Sequence, residues 1–270
     1  MSSIKTMINV MTFLMVFASC TNRNAIVNKK DLLGSDYRLF QNTPVWELAK
    51  SVRDSDVAGI KLNVNKNKQL INTGDEIFGS TLLSMAVYNR NYSSVKTLLE
   101  LGADPNKTDN YDGTSALMVA AELGAGGRIH PYADSRYLKV LLKYGGNPNA
   151  IQKEVIPSHN QNYATPLMFA CLSGIFDYVQ ILVDSGADIN YKNKHGFSIL
   201  YAATVSGNPD IILYLLKKGV DFKLPMYTTA KGEKKYILDA LKLNQFEKGS
   251  EDYKKQMEII SFLNKNGINK

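Results

Sequence analysis

The chain has little of what chemistry at an active site requires: three histidines, two cysteines and one tryptophan in 270 residues. His130, His159 and His195 lie 29 and 36 residues apart, spacings that match no compact metal site. A G-x-S-x-G elbow, an H-E-x-x-H pair, a phosphate-cradling glycine loop and a C-x-x-C pair are all missing. The expectation is no enzyme, no cofactor, no metal and no small-molecule substrate. No disulfide is expected, and Cys171 reads as a small buried apolar residue. Basic residues never run longer than pairs such as Lys254-Lys255. The net charge of +7 is therefore a mild excess, which argues against nucleic acid and invites an acidic partner.

What is present is a phrase that recurs four times. Leu83-Ser84-Met85-Ala86, Leu117-Met118-Val119-Ala120, Leu167-Met168-Phe169-Ala170 and Leu200-Tyr201-Ala202-Ala203 place their leucines 34, 50 and 33 residues apart. In three copies a glycine follows the alanine after 16 residues, opening Gly102-Ala103-Asp104-Pro105-Asn106, Gly186-Ala187-Asp188-Ile189-Asn190 and Gly219-Val220-Asp221. Leucine and alanine three residues apart share one helical face, and a small alanine there lets neighbouring helices approach. Thr165 is a helix cap, and Pro166 fits the first turn because its missing donor has no partner there anyway. Gly102, Gly145, Gly186 and Gly219 follow a second helix, where a left-handed residue closes the last turn.

A period near 33 with a T-P-L-H-x-A-like phrase resembles the ankyrin-repeat family, from about residue 43 to the C-terminus. The resemblance implies an all-α solenoid of about six helix-turn-helix units with protruding fingers. Clear repeats are expected at about 75–107, 108–150, 161–191 and 194–222, with degenerate caps at 43–74 and 223–270. Terminal units need one polar outer face, so their departure from the pattern is reasonable. The third unit spends 25 residues between Ala120 and Gly145 where its neighbours spend 16, which places an insertion at about 125–134. Further insertions fall near 151–162 and 243–253, and in such proteins they map to surface loops and often to a binding face.

The N-terminus suggests export. Lys5 precedes Met7 to Phe17, an apolar run of about eleven residues broken by Asn9 and Thr12, which is the length of a secretory signal core rather than of a spanning helix. Phe17-Ala18-Ser19-Cys20 resembles a bacterial lipoprotein box, with Phe17 where leucine is usual. That resemblance implies a signal at 1–19, lipidation of Cys20, and a polar tether over 20–42. Thr21, in place of aspartate, implies sorting to the outer membrane. Ordinary cleavage to a soluble periplasmic form stays open, as does a minor cytosolic form from internal starts at Met11 or Met15.

In the ankyrin family the usual contact surface is made of finger tips and the exposed positions of the first helices. Carried onto this chain, the partner-binding candidates are Tyr88 and Asn89, Tyr111 and Asp112, Glu122 and Leu123, Leu172, and Lys194 and His195. Tyr132, Tyr137 and Tyr163 join them because tyrosine offers a large rigid contact at low entropic cost. A repeat scaffold behind a lipoprotein-like signal resembles the ankyrin lipoproteins that act as immunity proteins against type VI secretion phospholipase effectors. The implied partner is a cognate toxin, bound and occluded at the membrane. A general envelope scaffold or chaperone is the alternative.

Overall fold

The computed structural model describes residues 23–123, 133–153, 163–243 and 246–268. Among them twelve helices form six pairs: α1 (Trp46–Arg53) with α2 (Val57–Lys66), α3 (Leu82–Tyr88) with α4 (Tyr92–Glu100), α5 (Ala116–Glu122) with α6 (Arg136–Lys143), α7 (Pro166–Ser173) with α8 (Phe176–Asp184), α9 (Ile199–Val205) with α10 (Pro209–Lys217), and α11 (Ile237–Leu243) with α12 (Glu251–Lys265). Each first helix packs on the next first helix and each second helix on the next second helix, which makes a two-layered solenoid.

The repeated phrase forms the core. Leu83, Leu117, Leu167 and Leu200 are buried, and so are Ala86, Ala120, Ala170 and Ala203 beneath them. The start of each clear first helix is capped alike. The side-chain oxygens of Thr81, Ser115, Thr165 and Ser198 accept from the backbone N–H three residues on, satisfying a donor the helix cannot. Gly102, Gly145, Gly186 and Gly219 all adopt positive φ after the second helices, as their positions require. Gly174 and Gly207 take the same conformation at the turn inside their units, and at the corresponding station of the second unit Arg90 does so with φ 59°.

Successive fingers are tied by asparagines. Asn72 Oδ1 accepts from Asp104 N at 2.8 Å. Asn106 donates to the Gly145 carbonyl at 2.9 Å and accepts from Asn147 N at 2.7 Å. Asn149 repeats this with the Gly186 carbonyl and Asp188 N, at 2.9 and 2.8 Å, and Asn190 accepts from Asp221 N at 2.8 Å. The last finger carries the one described sheet, a hairpin of β1 (Tyr227–Thr228) and β2 (Lys234–Lys235).

The N-terminal segment differs from the expected tether over 20–42. From Arg23 onward it is folded against the first unit, with short 3-10 turns at Lys29–Asp31 and Tyr37–Phe40. Tyr37, Leu39 and Phe40 are buried, so these apolar side chains supply core to a first unit that lacks a preceding repeat. Polar bonds hold the rest. Gln41 donates to the carbonyls of Asn24 and Ala25, and Arg53 to the Arg23 carbonyl, while Arg23 pairs with Asp54. Cys20 lies outside the described residues, as do most of the insertions expected at 125–134 and 151–162.

Candidate protein-binding site

Two finger turns and two first helices build a groove of about 790 Å³. The finger at 75–80 is shaped by the Asp75 carboxylate, which accepts from the backbone N–H groups of Ile77, Phe78 and Ser80. The next finger uses Asp109 in the same way, accepting from Tyr111, Asp112, Gly113 and Thr114. Asn110 N then donates to the Phe78 carbonyl at 2.7 Å, which locks the two turns together. Gly79 is required at this junction: its φ is +69°, and a Cβ would sit 2.6 Å from the Asn110 amide.

These turns aim Tyr111 over the groove, its ring edge-on to Phe78 with centroids 5.5 Å apart. Tyr88 and Glu122 lie at the ends of α3 and α5, and Leu123, which follows Glu122, also lines the groove. Tyr88 and Tyr111 stay 56% and 42% exposed and so present large rings to solvent at the groove. Desolvation in the groove and the nearby Asp112 carboxylate raise the Glu122 pKa above its ordinary value. Five expected contacts, Tyr88, Tyr111, Asp112, Glu122 and Leu123, are thus brought to one place.

Asn89 has another task. Its amide donates to the Ser35 carbonyl at 2.8 Å and to the Met85 carbonyl at 2.9 Å, so it fastens the N-terminal segment to α3. That segment forms one wall of the groove through Leu33, Gly34 and Ser35, and Leu33 is 77% exposed. The repeat pattern could not have found this wall, since it lies outside every repeat.

A second cluster lies further along the finger row. Lys194 Nζ sits 4.6 Å from the Tyr163 ring centroid and donates to its hydroxyl at 3.1 Å, and the His195 ring packs on the same tyrosine at 5.4 Å. Tyr163 holds a left-handed φ of 47°, a strained state for a tyrosine, and its carbonyl accepts from the Tyr191 hydroxyl at 2.7 Å. Beside this cluster Phe197, Tyr201 and Tyr227 pack ring on ring. Leu172 is exposed on α7, as expected.

Tyr137 is a correction: it is 4% exposed and packs edge-on against Tyr92 at 5.4 Å. It lies three and four residues before Val140 and Leu141, on the buried stripe of α6. Tyr132 lies outside the described residues, as do His130 and His159. Among the described residues no group of three His, Cys, Asp or Glu side chains could hold a metal.

The profile of the family described as ankyrin repeats, in three copies, matches residues 6–151 and 131–225. The chain belongs to the ankyrin-repeat family, and the fold and exposed groove are those of a protein–protein interaction module. It is similar to Protein PhlB of Serratia liquefaciens, with 31% identity over 175 residues, covering 65% of this chain and 68% of that protein. It is also 42% identical over 73 residues to ankyrin repeat and SAM domain-containing protein 6 of Rattus norvegicus, covering 25% of this chain and 8% of that one. With ankyrin repeat and KH domain-containing protein mask-1 of Caenorhabditis elegans the identity is 28% over 202 residues, covering 69% and 7%. The chain thus spans most of the bacterial relative and a small part of the animal ones.

Proposed function

We propose that this chain is an exported immunity protein, anchored by a lipid on Cys20 to the periplasmic side of the outer membrane, which binds and occludes a cognate phospholipase toxin. The observation that carries the binding part is the groove, where Tyr88, Tyr111 and Leu33 stand exposed around Glu122. The apolar run from Met7 to Phe17 and the box ending at Cys20 support export and lipidation. Inhibition is stoichiometric: a rigid surface covers the entrance to the toxin's active site, and the anchor concentrates that surface where toxin meets phospholipid. Because the N-terminal segment packs on the first unit from Arg23, the three steps from Cys20 span at most about 11 Å.

The test is co-expression. A lipase encoded beside this gene is directed to the periplasm, with the wild-type chain, Tyr88→Ala/Tyr111→Ala, or Cys20→Ser. The proposal expects survival with wild type, loss of protection with the double alanine variant, and reduced protection with Cys20→Ser despite unchanged binding in solution. Death of the cells with wild type, or recovery only of housekeeping envelope proteins in a pull-down, overturns immunity in favour of an envelope scaffold.

A further inference from the structure

The two ends of the finger row carry opposite charge. The fingers at 73–81 and 102–115 hold five carboxylates against one lysine. Among these Glu76, Asp104 and Asp112 are exposed, and Glu122 adds a further carboxylate from α5. The fingers at 186–198 and 219–236 hold six lysines against three carboxylates. There Lys192, Lys194, Lys223, Lys231 and Lys234 are exposed, with His195 beside them. Lys29, which pairs with Glu76 at 3.8 Å, and Arg90 temper the first end. Asp188, Asp221 and Glu233 temper the second without reversing its sign.

Both ends also carry exposed or half-buried aromatic rings: Tyr88, Phe78 and Tyr111 at the first, Tyr163, Phe197, Tyr201 and Tyr227 at the second. The asparagine ladder holds the fingers in one row, so the separation of charge is built into a rigid body.

From this polarity, we infer that the finger face is built for a protein whose matching surface is itself polarised, with a basic, apolar-flanked segment entering the groove at Tyr88, Tyr111 and Glu122 and an acidic segment reaching Lys194, His195 and the Lys231–Lys235 hairpin. This deepens the proposed function and rests on the finger face being the partner surface. Opposed charge at the two ends fixes the partner's orientation, because the reversed pose sets like charges against each other. It also steers the encounter, which makes association sensitive to salt. Aromatic faces beside the carboxylates suit an arginine or lysine stem, whose charge they attract and whose methylenes they cover.

The test does not need the native partner. Two synthetic peptides, Ac-Gly-Leu-Arg-Leu-Arg-Gly-NH2 and Ac-Gly-Leu-Glu-Leu-Glu-Gly-NH2, are titrated into the full isotope-labelled chain and mapped by amide shifts. The arginine peptide is expected to shift Tyr111, Asp112 and Glu122, and the glutamate peptide Lys194, His195 and Tyr227. Asp112→Asn/Glu122→Gln should weaken only the first about fivefold and Lys194→Gln/Lys234→Gln only the second, a change of about 1 kcal/mol each by RT ln 5. Thermal melts of both variants check that the fold is kept. Both peptides mapping to one end, or neither shifting any amide at millimolar concentration, overturns the inference even if a partner has been captured. A salt-labile dimer of the full chain in sedimentation also overturns it, since the two ends would then be pairing with each other. Failure of the toxin-protection test with the two peptides still mapping apart would remove the immunity reading alone.

Discussion

Asn149 gives the sharpest test of how the fingers hold together. Its side chain makes two bonds to the next unit, donating to the Gly186 carbonyl at 2.9 Å and accepting from Asp188 N at 2.8 Å. Asn149→Ala removes both. A net hydrogen bond contributes about 1 kcal/mol, and because these groups are exposed, water replaces part of each, so the expected loss is about 1–2 kcal/mol. In a solenoid stability is the sum of unit and interface terms, and the loss therefore falls on the boundary between the third and fourth units. Urea unfolding followed by circular dichroism gives the magnitude, and hydrogen exchange gives the place: α7 and α8 should exchange faster while α1 and α2 do not. Asn106→Ala, which breaks the equivalent bonds one unit earlier, should cost a similar amount, and because Asn147 donates to Asn106 and accepts from Asn149 N, the double variant should depart from additivity. A loss below about 0.5 kcal/mol, the range of ordinary surface substitutions, would refute the ladder as a source of stability.

Phe40→Ala should cost about 3–5 kcal/mol in urea unfolding, as a buried aromatic does, whereas a tether residue would cost almost nothing. Cys171 is fully buried and its thiol is pushed well above the usual range by desolvation, so Ellman's reagent should label it only at the rate of unfolding. Glu122 is raised by desolvation and by Asp112, so the folded state holds its proton where the unfolded state has lost it. Stability should then fall as pH rises from the ordinary glutamate pKa to the raised one, and Glu122→Gln should flatten that part of the profile measured by urea unfolding between pH 4 and about 7.

The scaffold was legible because its physics repeats. A leucine and a small alanine three residues apart, a capping hydroxyl before them and a left-handed glycine after the second helix are each dictated by helix geometry, and four copies reinforce one another. Tyr137 was misread although its signal was present, since its distance from Val140 and Leu141 already placed it on the buried stripe. The folding of Tyr37 to Phe40 was harder to see. The segment is short, belongs to no repeat, and its burial follows from the unfilled flank of the first unit rather than from any period. Asn106 and Asn190 close two of the glycine-led phrases and Asn149 stands four residues after Gly145 in the same way, but their role depends on the neighbouring unit, which a pattern within one unit does not describe.

The same repetition explains why the partner is harder to read than the fold. Five residues after each phrase leucine the backbone reaches the same station at the end of a first helix, and the four clear units place Tyr88, Glu122, Leu172 and Val205 there. All four are exposed, so core packing does not dictate which residue stands there. The scaffold needs only that the station not disturb the helix, and the finger carboxylates of Asp75 and Asp109 meet the turns' backbone demands without it. Selection for a partner can therefore act on these stations with little cost to stability, and the residues that say most about binding are those the fold constrains least. The polarity of the finger row is the exception, because a sign shared by several fingers is a pattern across units rather than a choice at one station. It is also the property that most directly restricts what can bind.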